Sequence, residues 1–227
     1  MAWAPAILLD RDGFVGVDKP PGLASTGRTL DDPECLQWRL CRWAGRMVWA
    51  VHQLDTDTSG AILFARRKAL VAEGARRLRA RSGRKLYLAV CHGEPDFAER
   101  TIRLPIGAAT GSGGRLAVAR TGRDARTAVR VLARSGGFSL LELRLLTGRT
   151  HQARIHLAHI GHPLVGERSY RDAPCELHPR HALHASRLVL GGPEPLVIEA
   201  PLAPDLARLV DRLGLSAGVL PVRSSNS

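Results

Sequence analysis

Two polar clusters interrupt the apolar stretches of this chain. The first, His52-Gln53-Leu54-Asp55-Thr56-Asp57-Thr58-Ser59-Gly60, sets carboxylates, hydroxyls and an imidazole between two hydrophobic segments. Such residues suit a reactive site, but Asp, Thr and Ser also tie up turns through local side-chain to backbone hydrogen bonds. Spacing alone does not separate the two readings. The second cluster, Thr147-Gly148-Arg149-Thr150-His151-Gln152-Ala153-Arg154-Ile155-His156, follows an apolar strand and opens a helix. A helix start carrying two arginines suits a phosphate or a carboxylate.

Other groupings promise less. His156, His159 and His162 drift around a helix instead of sharing one face, and neither H-E-x-x-H nor C-x-x-C occurs, so no metal site is expected. Gly111-Ser112-Gly113-Gly114 lacks the lysine and the strand–loop–helix setting of a phosphate loop and reads as a flexible turn. Ser59 lies in T-S-G and not in the G-x-S-x-G of a hydrolase elbow.

The elements that must position these clusters follow from periodicity. Phe14 to Asp18 predicts a strand stopped by Lys19-Pro20-Pro21-Gly22, and Leu36, Leu40 and Trp43 recur at helical spacing. Val48 to Val51 and Gly60 to Ala65 predict strands on either side of the first cluster. Residues 67–81 predict a basic amphipathic helix, either a solvated face or one turned toward an anionic partner. Lys85 to Val90 predicts a strand, and residues 107–122 a mobile hairpin or loop. Val129 to Leu132 and Phe138 to Leu146 predict paired strands turning at Ser135-Gly136-Gly137. Thr150 is expected to cap a helix over 151–160 that Gly161 and Pro163 end. Late strands at Leu183 to Leu190 and Leu196 to Glu199, then a helix over 203–213, complete the pattern. Strands outnumber helices without strict alternation, which predicts an α+β fold around a mixed, largely antiparallel central sheet. No repeat or linker divides it. The expectation is one domain over 1–222 with a disordered tail at 223–227.

Composition bounds the function. At 227 residues, 44% hydrophobic and 24% charged, the chain has the balance of a soluble globular protein. Its 33 Lys and Arg against 21 Asp and Glu leave +12, with a pI near 11.0. That excess favours a polyanionic partner through steering and counterion release, although a GC-rich genome also spells basic residues as Arg. Cys35, Cys41, Cys91 and Cys175 have no metal or redox spacing, which fits reduced thiols in the cytoplasm. Ala6 to Leu9 is too short for a signal core, and no apolar run reaches the ~18 residues of a membrane span. These features predict a cytoplasmic monomer, an enzyme or a binding protein, without membrane association.

Together the two clusters resemble the RluA family of RNA pseudouridine synthases, whose motifs read H-R-L-D-x-x-T-S-G and T-G-R-T-H-Q-x-R-x-H. Val17-Asp18-Lys19-Pro20-Pro21-Gly22-Leu23, Lys85-Leu86-Tyr87-Leu88-Ala89, Gly161-His162-Pro163-Leu164-Val165-Gly166 and Leu183-His184-Ala185 fit the same family in order, over roughly residues 14–201. The resemblance implies that Asp55 is the catalytic nucleophile, that Tyr87 stacks on the target base and that Arg154 pairs with the aspartate. It implies RNA contacts from Lys19, His52, Gln53, Arg149 and His151, with ribosomal or transfer RNA as substrate. The reaction breaks the N1–C1′ bond of uridine, rotates the uracil and joins C5 to C1′. A carboxylate can attack either C1′ of the ribose or C6 of the base. No redox step or external group transfer is involved, so neither cofactor nor metal is implied. Gln53 departs from the family, which has arginine there, and removes a charge at that point. A catalytically silent RNA-binding or chaperone protein on the same fold is the alternative.

Overall fold

The computed structural model describes residues 4–29, 32–109, 115–171 and 175–216. In chain order, β1 (Ala6–Arg11), β2 (Phe14–Lys19), α1 (Leu36–Ala44), β3 (Trp49–Ala50), β4 (Ser59–Ala65), α2 (Leu70–Arg79) and β5 (Arg84–His92) come first. Then follow β6 (Glu99–Arg103), β7 (Ile106–Ala108), β8 (Leu116–Val118), β9 (Arg126–Ser135), β10 (Phe138–Leu145) and α3 (Gln152–His159). The chain closes with β11 (Leu183–Leu190), β12 (Leu196–Glu199) and α4 (Pro204–Arg212).

The main sheet runs β1-β2-β4-β11-β5-β10-β9-β6, with β3 added to β4 and β12 to β11. Every pairing in it is antiparallel except β11 with β4. This is the mixed, largely antiparallel α+β architecture that the sequence predicts. The parallel junction matters most, because it joins the end of the first polar cluster to β11 through His184↔Ser59 and Ala185↔Gly60. Gly60 has φ +105°, and a Cβ there would lie 2.3 Å from the Ala185 carbonyl oxygen. Only glycine lets the strands approach so closely.

β4 reads as an unbroken apolar run because both its faces are covered. Ile62 and Phe64 pack into a cluster with Leu36, Leu40, Tyr87, Leu143 and Leu157, beneath α1 and α3. Ala61, Leu63 and Ala65 face the other way, onto Leu78 of α2 and Leu188 and Leu190 of β11. Leu206, Leu209 and Val210 of α4 cover a third cluster around Val90 and Leu140.

Two strands escape the periodicity reading. β1 and β6 are the outer strands of the sheet, short and largely exposed, so neither carries a clean apolar alternation. Asp12-Gly13 is the local sign of the first hairpin: both residues take positive φ, 57° and 77°, in a two-residue turn. The 107–122 stretch contains the hairpin β7–β8, whose tip at 110–114 lies outside the described residues. The expected tail at 223–227 lies outside them as well.

The expected cap of α3 is wrong. Thr150 does not cap it; His151 occupies that position with φ 55° and makes no side-chain cap bond. Gln152 closes the turn instead, its Oε1 accepting from the Arg149 amide at 3.1 Å and the Thr147 hydroxyl at 2.7 Å. α3 is buried along residues 152–157, so its polar side chains meet protein partners and not water.

Candidate active site

The first polar cluster does not stabilise itself locally, as its composition allowed. The hydroxyls of Thr58 and Ser59 reach across the fold to segments more than a hundred residues away. Thr58 Oγ1 bonds His181 Nε2 at 2.8 Å, and Ser59 Oγ bonds His184 Nδ1 at 3.0 Å. Arg180 donates to the Asp57 carbonyl at 2.7 Å and to Ser59 Oγ at 3.0 Å, while Asp205 holds its other side. Ser25 braces the preceding turn, donating to the Leu54 carbonyl and accepting from the Leu54 amide. One contact remains local: the Thr58 amide donates to the Asp55 carbonyl.

Asp55 emerges from this brace with its side chain 22% exposed. Arg154 Nη1 donates to Asp55 Oδ2 at 3.2 Å, bringing the two clusters together across 99 residues. His151 Nε2 stands 3.9 Å from Asp55 Oδ1. The other ring nitrogen of His151 shares a 2.7 Å hydrogen bond with the Tyr170 hydroxyl. Burial lowers the His151 pKa, against the pull of the Asp55 carboxylate, and this favours the neutral ring.

Arg154 is itself held by a residue that the sequence reading passes over. Glu167 is fully buried and accepts from Arg154 Nε at 2.9 Å and Nη2 at 2.8 Å. The amides of Arg168 and Ser169 donate to the same carboxylate. Burial acts to raise the Glu167 pKa, but Arg154 and the Ser169 amide outweigh it and hold the carboxyl at about 2. Glu167 immediately follows the Gly161 to Gly166 motif, and its position behind a buried apolar pair was the available sign. Tyr170, whose ring lies 5.2 Å from the Arg154 guanidinium carbon, likewise stands in none of the motifs.

Tyr87, on β5, lines the same cavity as Asp55 and Arg154 while only 5% exposed. It belongs to the core cluster under α3 and offers the cavity a limited surface. Burial first and the Asp55 charge second raise the pKa of its hydroxyl, so it stays protonated.

The residues expected to touch RNA divide. Gln53 is exposed beside the cavity, its amide donating to Thr26 Oγ1 at 3.0 Å. Arg149 lines the cavity and anchors one nitrogen on the Asp124 carbonyl. His52 also lines it, but its Nε2 accepts from the Leu63 amide, and burial followed by the Lys85 charge lowers its pKa to about 4. It is therefore neutral near pH 7 and carries no charge toward a phosphate. Lys19 corrects the expectation outright: it is 0% exposed, and its Nζ donates to the Pro20, Leu23 and Thr56 carbonyls at 3.0, 2.7 and 2.8 Å. Burial lowers its pKa to about 7, while three acceptors match the three protons of the ammonium form. Lys19 ties the N-terminal turn to the Asp55 loop from inside.

The cavity holds about 1290 Å³, above the ~300–1,000 Å³ of small-molecule pockets. Arginine and lysine side chains line much of it. Among the described residues no group of three or more His, Cys, Asp or Glu is arranged to hold a metal ion. No described helix is long and apolar enough to cross a membrane.

A braced carboxylate, its buried arginine and a tyrosine thus share one basic cleft on a mixed sheet. Residues 13–159 match the RNA pseudouridylate synthase family, and the chain belongs to it, within the RluA type. An "Uncharacterized RNA pseudouridine synthase" of Chloroflexus aurantiacus is 41% identical over 167 residues, covering 72% of this chain and 52% of the relative. The "Dual-specificity RNA pseudouridine synthase RluA" of Escherichia coli is 34% identical over 191 residues, covering 82% of this chain and 87% of that protein. The solved structure of "Human RNA Pseudouridylate Synthase Domain Containing 1" superposes with a TM-score of 0.74 at 27% identity, covering 97% of each chain. The chain spans about half the length of several curated relatives it matches.

Proposed function

We propose that this chain isomerises uridine to pseudouridine in ribosomal or transfer RNA, with Asp55 as the nucleophile. The observation that carries the reading is the Asp55–Arg154 pair at 3.2 Å, partly open to a large basic cleft and beside Tyr87. A target uridine must leave its stack to reach such a site, and an aromatic ring partly replaces the lost stacking. Asp55 then adds at C1′ or C6, the N1–C1′ bond breaks and the uracil turns. C5 bonds to C1′ and loses its proton, N1 gains one, and the carboxylate is released. Atoms and electrons balance without an external reactant. Arg154 donates to the Asp55 carboxylate at 3.2 Å and so orients it, and Glu167 keeps Arg154 aimed. Membership of the family and the similarity to proteins named pseudouridine synthases support this assignment.

The test is to incubate the purified protein with total cellular RNA and map new pseudouridines, with Asp55→Asn alongside. The variant is nearly isosteric but a poor nucleophile. It should keep fold and RNA affinity while turnover disappears. Pseudouridine formation by Asp55→Asn above background would remove Asp55 from the role. Binding without modification by the wild type would favour the silent RNA-binding alternative.

A further inference from the structure

Positive charge is unevenly used around the cleft. The basic helix α2 turns most of its arginines to protein partners. Arg76 pairs with Glu73 at 2.7 Å, and Arg77 donates to the carbonyls of Gly191 at 2.9 Å and Glu194 at 2.7 Å. Arg79, in the last turn of the same helix, lines the cleft instead, together with Lys85 from β5 and Arg149 from the loop before α3. Among the described residues, none of these three forms an ion pair with a carboxylate.

Their arrangement is costly without an anion. Lys85 is partly buried, and its ammonium has one long contact, 3.5 Å to the Thr147 carbonyl. Burial first, then the Arg79 and Arg149 guanidiniums, lower its pKa from the ordinary value. The loop that carries Arg149 sits tightly over the amine, since a Cβ on Gly148 would lie 3.1 Å from Lys85 Nζ. Like charges collected in a half-buried place, without a counter-ion, are stabilised by a ligand of opposite sign.

Lys85 also stands in register with the site. It precedes Tyr87 by two residues on β5, so both side chains leave the same face of the sheet, ~6.6 Å apart along the strand. That separation is on the scale of a single sugar–phosphate unit. We propose that Lys85, Arg79 and Arg149 form a phosphodiester subsite that grips consecutive RNA phosphates next to the uridine held at Asp55 and Tyr87. The subsite rests on the RNA reading above for its ligand, and on the unpaired cations for its place. Arginine supplies paired donors to phosphate oxygens, and lysine a point charge between them.

The experiment is a salt titration of binding to a labelled single-stranded oligouridylate, read by fluorescence anisotropy. Each phosphate contact on a single strand contributes about −0.7 to the slope of log K against log salt. Lys85→Gln and Arg79→Gln should each make the slope shallower by about that amount and weaken binding several-fold. Lys85→Arg should keep the slope. Arg76→Gln, which removes a charge already paired with Glu73, should match wild type. Thermal melting checks that each variant is folded, and the exposed Arg79 supplies the answer if Lys85→Gln is not. Unchanged slope and affinity in folded Lys85→Gln or Arg79→Gln would overturn the subsite, as would a wild type that does not bind. Pseudouridine mapping keeps the two readings apart. A shallower slope in a protein that makes no pseudouridine would retire the enzyme and leave the subsite standing. Active wild type with slopes untouched by the substitutions would do the reverse.

Discussion

Asp55 depends on a chain of partners that runs inward. Arg154 meets Asp55 at 3.2 Å and Glu167 at 2.8 Å, so removing the guanidinium strands a fully buried carboxylate. Breaking a buried pair in this way typically costs ~3–5 kcal/mol. Arg154→Ala should therefore lower the unfolding free energy by about that amount and reduce turnover as well. In the double variant Arg154→Ala/Glu167→Ala the costs should fall short of additive by ~0.5–3 kcal/mol, because the partners are in contact. Additive losses in denaturant unfolding would contradict the geometry. Gln53 is a different kind of residue, exposed and bonded only to Thr26 among its described side-chain contacts. Gln53→Arg should change stability by no more than ~0.5 kcal/mol. If the new guanidinium reaches the RNA backbone, it should steepen the salt slope by about 0.7 and tighten binding. Unchanged slope, affinity and single-turnover rate would show that position 53 does not meet the substrate.

At the scale of elements, the site depends on the parallel junction of β4 and β11. Gly60 makes that junction possible, and its neighbour Ser59 is the point at which Arg180 and His184 secure the loop. Gly60→Ala meets both a backbone at φ +105° and a carbonyl 2.3 Å from the added methyl. Gly136, at φ +57° in the β9–β10 turn, has open space where a methyl would go. Gly136→Ala should therefore cost only the left-handed backbone term of ~1–2 kcal/mol. Gly60→Ala should cost more, and it should also depress turnover, because the strained strand end carries the loop. Equal urea midpoints for the two variants would show that β4 and β11 can separate without penalty.

Across the whole molecule, burial of ionisable groups sets the response to acid. Burial is the leading cause that lowers the pKa of His52 to about 4, His181 to about 3 and His184 to about 4, each from 6.5. Between those values and 6.5 the unfolded chain binds more protons than the folded one, so stability falls as pH falls. Glu167, held at about 2 from 4.5, acts in the same direction over a lower range. Its contribution is complete above pH 4.5 and is lost as pH drops toward 2. The melting temperature should thus decline from about pH 6.5 downward and continue to decline below pH 4.5. A flat profile between neutrality and pH 4 would mean that these imidazoles are not held neutral in the fold.

The sequence by itself determined the positions along the chain of most inner strands and of the four helices, the α+β class and the family resemblance. Those features are written in local periodicity and in contiguous motifs: β4 announces its double burial as an apolar run, and α4 its amphipathic face. Asp55, Tyr87 and Arg154 could be named from motifs, but their meeting could not be measured from them, since Asp55 and Arg154 lie 99 residues apart. Tertiary structure alone decided what each charged side chain faces. Lys19 and Arg149 look alike as basic residues in motifs, yet one is sealed among carbonyls and the other lines the cleft. Glu167 reads as one more surface acid until the fold closes over it and places Arg154 against it. Local propensity records the neighbours along the chain, whereas burial and ion pairing depend on segments that only the folded sheet brings together.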